Sequence, residues 1–276
     1  MTTARAFAPA KINLTLHVTD QRADGYHLLD SLVVFADIGD WISVASLDRL
    51  QLQVVGPMAA GVPNGDTNLV LRAARLAGVT EADITLEKHL PMASGIGGGS
   101  SDAAAVLRAL AQSHGVSVPD NVLSLGADLP VCLAAKTARM SGIGEDILII
   151  ETVPALPAVL VNPGHAISTP EVFNALELCD GVSMAEIPVF ADVADCVDWL
   201  RHQRNDMQPA ALKLAPVIGD VLVALDQSGA IFARMSGSGA TCFGLYESET
   251  AAHKAAKALR VGNTDWWVQP TVLSAT

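Results

Sequence analysis

Hydrophobic and polar residues alternate from Lys11 to Val18, with Ile12, Leu14, Leu16 and Val18 on one side and Lys11, Asn13, Thr15 and His17 on the other. That period of two predicts a half-buried strand with Lys11 and Asn13 on one face. Asp24-Gly25 reads as a turn. Residues 32–35, 41–44 and 50–55 read as further strands, and Asp83 to Lys88 alternates as another. Between them, Leu69, Arg72, Ala73 and Leu76 recur at helical spacing before Gly78, which predicts a helix over 68–77. Ala103, Val106, Leu107, Leu110 and Ala111 form a longer helical stripe ending at Gly115. A short helix is expected over 119–125. Residues 126–135 look strand-like and carry Asp128.

The hydrophobic pattern pauses at KTARMSGIGED, and the domain boundary is expected there, near residue 150. Domains 1–150 and 151–276 follow. The second is predicted as strand (158–161), a helical region (170 to about 225), strand (231–235), strand (241–246), helix (249–259) and strand (266–268). That order is β-α-β-β-α-β, the split ferredoxin-like unit. The fold class is α+β.

Composition narrows the function classes. With 17 Lys plus Arg against 29 Asp plus Glu the formal charge is −12, and no basic run offers a surface for nucleic acid or an anionic membrane. Cys132, Cys179, Cys196 and Cys242 lie far apart without metal-ligand spacing, as expected of thiols in a reducing compartment. No apolar stretch approaches the roughly 18 residues of a membrane span. The expectation is a soluble cytoplasmic protein.

The chemistry concentrates in LPMASGIGGGSSDAAAVL, residues 90–107, a glycine loop opening a helix. Such a loop presents unpaired backbone N–H groups and the positive end of the helix dipole, with no Cβ atoms to block phosphate oxygens. The plainer alternative is a structural turn with Ser100 or Ser101 as N-cap. Neither a Walker lysine nor the third Rossmann glycine is present, so charge for a phosphate must come from elsewhere. A second glycine element, MSGSGATCFGLY (235–246), lies between two strands. Phosphoryl transfer to a hydroxyl needs a cradle, a cation and a carboxylate for the acceptor, and Lys11 and Asp128 could supply the last two. Taken singly, Lys11 reads as an exposed strand lysine and Asp128 as a turn residue. Tyr26 and His27, after the turn, suit a base or pack the turn.

Five stretches, APAKINLTL (8–16), RADGYHLLDSL (22–32), GIGGGSSDAA (95–104), GADLPVCL (126–133) and SGSGATCF (236–243), recur in order along nearly the whole chain. With them it resembles the GHMP kinases, named for galactokinase, homoserine, mevalonate and phosphomevalonate kinases. The resemblance implies a two-domain GHMP kinase fold, with an N-terminal mixed β/α ATP-binding domain and a ferredoxin-like C-terminal domain. It implies ATP as phosphoryl donor, with Mg²⁺, and a small-molecule alcohol as acceptor. The ADGYH segment is similar to the branch acting on the C2 hydroxyl of a cytidine diphosphate sugar alcohol in non-mevalonate isoprenoid synthesis. Homoserine- or mevalonate-type kinases, or a non-catalytic nucleotide-binding protein, are the alternatives. By motif position, Asp128 is implied as base, with Lys11 holding it ionised or stabilising transferred charge. Pro91, Met92, Ala93, Ser94, Gly95, Ile96, Gly97, Gly98, Gly99, Ser100 and Ser101 are implied to cradle ATP, with Lys88 near the adenine or ribose. Asn13, Tyr26 and His27 are implied to hold the cytidine end, Thr169 to lie near the substrate, and Ser236, Gly237, Ser238 and Gly239 to line the site.

Overall fold

A computed structural model describes residues 3–176 and 181–274; the Cys179 thiol lies outside them. The chain folds as two compact units, one of residues 1–11, 38–92 and 97–135, the other of residues 12–37, 93–96 and 136–276. The units cut the chain differently from a single division near residue 150, because two strands, β1 (Ala4–Asn13) and β3 (His27–Ala45), pass from one into the other.

In the first unit the end of β3 pairs antiparallel with β5 (Ala82–Glu87), which runs parallel to β4 (Leu50–Val55). A parallel pair needs a crossover, supplied here by α1 (Leu69–Leu76), whose N-cap Asn68 accepts the Val70 N–H. The long α2 (Gly98–His114) packs on α1, and Gly115 closes it in the left-handed conformation at φ 65°. Val70, Ala73 and Ala74 of α1 meet Val106, Leu107 and Leu110 of α2 over Ile42, Ile84 and Leu86 of the sheet. After a 3-10 turn at Val122–Leu125 comes α3 (Leu129–Ala134). The strand-like reading of 126–135 is corrected there: Pro130 sits in the first turn of a helix and Asp128 at its N-cap position.

In the second unit β2 (His17–Gln21) pairs with the start of β3 across the Asp24-Gly25 turn, where Gly25 takes φ 90°. The KTARMSGIGED segment, expected as a boundary, forms most of a hairpin of β6 (Ala138–Gly142) and β7 (Asp146–Ile149), with β6 on β3. Then follow β8 (Leu156–Asn162), α4 (Thr169–Asn174), α5 (Val193–Arg201), α6 (Gln208–Leu214), α7 (Val217–Gln227), β9 (Phe232–Met235), β10 (Cys242–Leu245), α8 (Glu249–Gly262) and β11 (Trp267–Ser274). The sheet order β11-β8-β10-β9 is antiparallel throughout, as the ferredoxin-like reading requires. The expected helical region holds four helices, α4 to α7, and its residues 181–192 lie outside any helix.

Residues 11–18 are not one half-buried strand. The ladder breaks after Asn13: Leu14 N–H still reaches the Leu32 carbonyl, but Leu16 exchanges backbone bonds with Arg204 and Asp206. The Arg234 guanidinium takes the freed Leu14 carbonyl at 3.0 Å together with the Leu200 and Gln203 carbonyls. Lys11, Asn13, Thr15 and His17 are all buried, which each can be only with a partner. Residues 32–35 and 41–44, read as two strands, belong to the single β3.

The fully buried Leu110 sits where α2 meets α1. Leu110→Ala is expected to lower unfolding stability by about 3 kcal/mol through lost burial and an unfilled cavity, read as a fall in the urea midpoint without change of slope.

Candidate active site

The first unit brings Lys11, Lys88, Asp128 and the opening of α2 together. The left-handed Gly97 (φ 63°) turns the chain into α2, and no side chain caps the helix. Ser100 and Ser101 are therefore not N-caps: they lie inside the first turn, and the Ser101 hydroxyl donates to the Pro9 carbonyl at 2.7 Å. The first N–H groups of a 17-residue helix are thus left to a ligand or water. A Cβ on Gly97 would come within 3.1 Å of the Lys11 side chain, so the lysine stem runs directly against this turn. Lys11 Nζ lies 2.7 Å from Asp128 Oδ1; the lysine side chain is buried and the aspartate 30% exposed. A cation beside the turn that opens α2 is thereby paired with a carboxylate that solvent can still reach.

Lys88 is held between two carboxylates, 2.5 Å from Asp40 and 2.8 Å from Asp102, all three buried. Its Nζ lies 3.2 Å from where a Gly98 Cβ would stand, so its charge also sits at the start of α2. Burial opposes the ammonium, but Asp102 and Asp40 outweigh burial and raise its pKa. Burial pushes the Asp102 carboxyl up to about 7; Lys88 opposes the rise and Asp40 adds to it. One Asp102 oxygen, Oδ1, has no hydrogen-bond partner. Neither Asp40 nor Asp102 was found by sequence reasoning, although one signal existed: Asp102 falls on the same stripe as Val106 and Leu110, where an acid needs a partner.

The second unit gathers the remaining predicted residues around the two glycine elements. Asn13 N–H donates to Ser236 Oγ, whose hydroxyl donates to the Gly95 carbonyl, and Thr241 N–H donates to the Ser94 carbonyl. Gly95 is required by this approach, since a Cβ there would stand 2.7 Å from Gly239 N. Ile96 is buried, while Met92 and Ala93 are exposed. Asn205 Nδ2 ties the second loop down through the Met235 and Gly237 carbonyls, and Ser238 and Thr169 share a 2.8 Å hydroxyl contact. Asn13 Nδ2 donates to Ser31 at 2.7 Å, but the buried Asn13 Oδ1 has no partner. His27 stacks on Phe173 with ring centroids 4.7 Å apart, and burial lowers the His27 pKa. Tyr26 stands 60% exposed beside it in sequence. Phe173 was missed because it reads as an ordinary apolar helix position.

Residues 181–186, expected within the helical region but lying outside any helix, dock on the same polar row. Asp30 accepts two bonds from Arg139, at 2.8 and 2.6 Å, and one from Met184 N–H, while the Thr15 hydroxyl donates to Met184 Sδ. His17 completes the contact: Nδ1 faces the Val182 carbonyl and Nε2 faces the Arg204 N–H, each at 3.3 Å, which specifies the neutral Nδ1–H tautomer.

Residues 68–144 match the family described as GHMP kinases N terminal domain, and residues 190–262 that described as GHMP kinases C terminal. A helix-opening glycine loop, a lysine–aspartate pair at it and a ferredoxin-like second part fit these matches and define the class, an ATP-dependent small-molecule kinase of the GHMP type. The chain is 56% identical over 269 residues to the 4-diphosphocytidyl-2-C-methyl-D-erythritol kinase of Dinoroseobacter shibae, covering 97% of this chain and 94% of the other, and 56% identical to that of Ruegeria pomeroyi, covering 95% and 96%. It is also similar to a crystal structure of 4-(cytidine 5'-diphospho)-2C-methyl-D-erythritol kinase, with a TM-score of 0.77 and 32% identity over 98% of this chain and 99% of the other. The homoserine kinase of Cytophaga hutchinsonii shares the fold at 19% identity and a TM-score of 0.70, covering 100% and 95%. This chain belongs to the 4-diphosphocytidyl-2-C-methyl-D-erythritol kinase family.

Burial first, then the Arg204 charge, lowers the His17 pKa below 6.5. A depressed histidine contributes stability that is complete above the unfolded value of 6.5 and is lost as the pH falls through the folded value. Urea unfolding at pH 7.5 and 5.5 is expected to show the wild type losing more stability on acidification than His17→Gln.

Proposed function

We propose that this chain transfers the γ-phosphoryl group of ATP to the C2 hydroxyl of 4-diphosphocytidyl-2-C-methyl-D-erythritol, giving the 2-phosphate and ADP, in the non-mevalonate isoprenoid pathway. The observation that carries the reading is the 2.7 Å Lys11–Asp128 pair set against the uncapped opening of α2. The hydroxyl oxygen attacks the γ-phosphorus, the bond to the ADP oxygen breaks, and the hydroxyl proton passes to the Asp128 carboxylate. Lys11 orients that carboxylate and offsets charge on the transferred phosphoryl group. Residues 91–101, with Lys88 at Gly98, are the proposed donor cradle.

Asn13, Tyr26, His27, Thr169 and residues 236–239 are the proposed acceptor ligands. The unpartnered Asn13 Oδ1 supports this, since it accepts a hydroxyl or amino donor without losing a bond, and the His27–Phe173 stack offers an aromatic surface for the pyrimidine. Mg²⁺ is proposed to arrive on the ATP phosphate oxygens. Among the described residues no three His, Cys, Asp or Glu side chains gather to hold a metal, and Asp102 and Asp128 are engaged by lysines. Residues 1–150 and 151–276 are kept as the two family domains, the boundary falling between the two family matches. We place the protein in the cytoplasm; among the described residues no single helix is long and apolar enough to cross a membrane.

An ADP-release assay is expected to show turnover with the cytidyl substrate well above that with mevalonate or homoserine; equal rates on all three would remove the acceptor assignment. Asp128→Asn is expected to keep ATP affinity within about threefold while kcat falls by 10²-fold or more, as for loss of a group acting mainly in the transition state. A near-normal kcat would show that the base lies elsewhere.

A further inference from the structure

Lys88 belongs to the proposed donor cradle, but the two carboxylates that hold it, Asp40 and Asp102, have been given no role there. The bonding of this cluster is lopsided. Asp40 Oδ1 accepts the His89 and Leu90 N–H groups at 2.5 and 2.8 Å, and its Oδ2 takes Lys88. Every oxygen of Asp40 is therefore satisfied as a carboxylate. Asp102 has Lys88 on Oδ2 alone, and its buried Oδ1 has no partner. Two carboxylates on one ammonium leave a net negative charge in the interior, and an unpaired oxygen on a buried anion adds a desolvation cost. A proton on Asp102 removes the excess charge and can be shared with the neighbouring Asp40 carboxylate, whereas on Asp40 it would compete with the two N–H donors at Oδ1 or with Lys88 at Oδ2.

We propose that Asp102 is a positioning residue for the phosphoryl donor: with Asp40 it fixes Lys88 against Gly98, and it takes up a proton when the donor's phosphates settle on the first turn of α2. The inference rests on the reading of that turn as the nucleotide site. Phosphate charge arriving at the turn disfavours a second buried carboxylate beside it, so binding and protonation reinforce each other. The other groups facing the cluster do not replace this role. From β1, Lys11 is paired with Asp128 at the start of α3. From α3, Cys132 is a buried thiol whose pKa burial pushes up, so it stays neutral. Arg108, farther along α2, is held by the carbonyls of Cys132, Leu133 and Phe7. Arg72 and Arg75 of α1 are exposed.

The test is calorimetric titration with ADP at pH 7, in buffers of differing ionisation heat, on the wild type and on Asp102→Asn, the neutral isostere. Protons carried by ADP itself count equally in both proteins. A rise of one unit in the Asp102 pKa predicts roughly 0.4 proton more taken up per ADP by the wild type, and a wild-type affinity falling roughly fivefold more than the variant's from pH 6 to 8. Equal proton counts in two proteins that both bind ADP would overturn the inference and leave the nucleotide reading standing. Failure of the wild type to bind ADP would overturn that reading and the inference with it. Should the variant not fold, carbon-13 carboxyl spectra of the aspartate-labelled wild type decide the matter. A carboxyl titrating near pH 7 and moving upward with ADP supports the proposal; the lack of one overturns it.

Discussion

The requirement that buried polar groups find partners governs this molecule, and it acts most strongly on the first strand. Lys11, Asn13, Thr15 and His17 are all buried. An unpaired charge or amide in such positions costs several kcal/mol, a sizeable share of the total stability of a domain. Their partners dictate the surroundings: Asp128 must stand at the head of α3, Ser31 and Ser236 must face Asn13, and residues 182–184 must fold back on Thr15 and His17. The break in the ladder after Asn13 has the same origin, since Leu16 finds better backbone partners in Arg204 and Asp206 and a buried guanidinium satisfies the Leu14 carbonyl.

Chemistry follows from that bonding pattern. Where every polar atom is matched, as at Asp40, the group is structural. Where one atom is left over, as at Asn13 Oδ1 and at the uncapped opening of α2, hydrogen-bonding capacity is left unspent. The Lys11–Asp128 pair combines both conditions, since the lysine is enclosed and the aspartate is still reachable. A chain with a formal charge of −12 thus sets two lysines at the one turn where phosphate is expected.

The parts of the fold legible in the sequence are those fixed by local pattern. The stripe from Ala103 to Leu110 and Gly115 set α2, and the order of periods after residue 156 yields the ferredoxin-like sheet. The parts that were not legible depend on distant partners. Alternation at 11–18 reads as one strand because nothing nearby signals that residues 204–206 will capture Leu16. The α3 helix is six residues long and apolar nearly all round, too short for a helical period to be told from a strand. At the site, glycine spacing exposed the cradle, whereas Asp40 and Phe173 carry no local mark that sets them apart from a strand end and a helix face. Asp102 does carry one, a charge on an apolar stripe.

The break after Asn13 also separates two lineages of contact along one short stretch of backbone. Lys11 depends on residues between 38 and 135, while Asn13, Thr15 and His17 depend on residues 30–31, 182–206 and 236. None of the side chains in the second group is a partner of the Lys11 ammonium, whose ion pair is with Asp128. The proposed phosphoryl-transfer pair and the proposed acceptor ligands thus draw their side-chain partners from separate stretches of the chain.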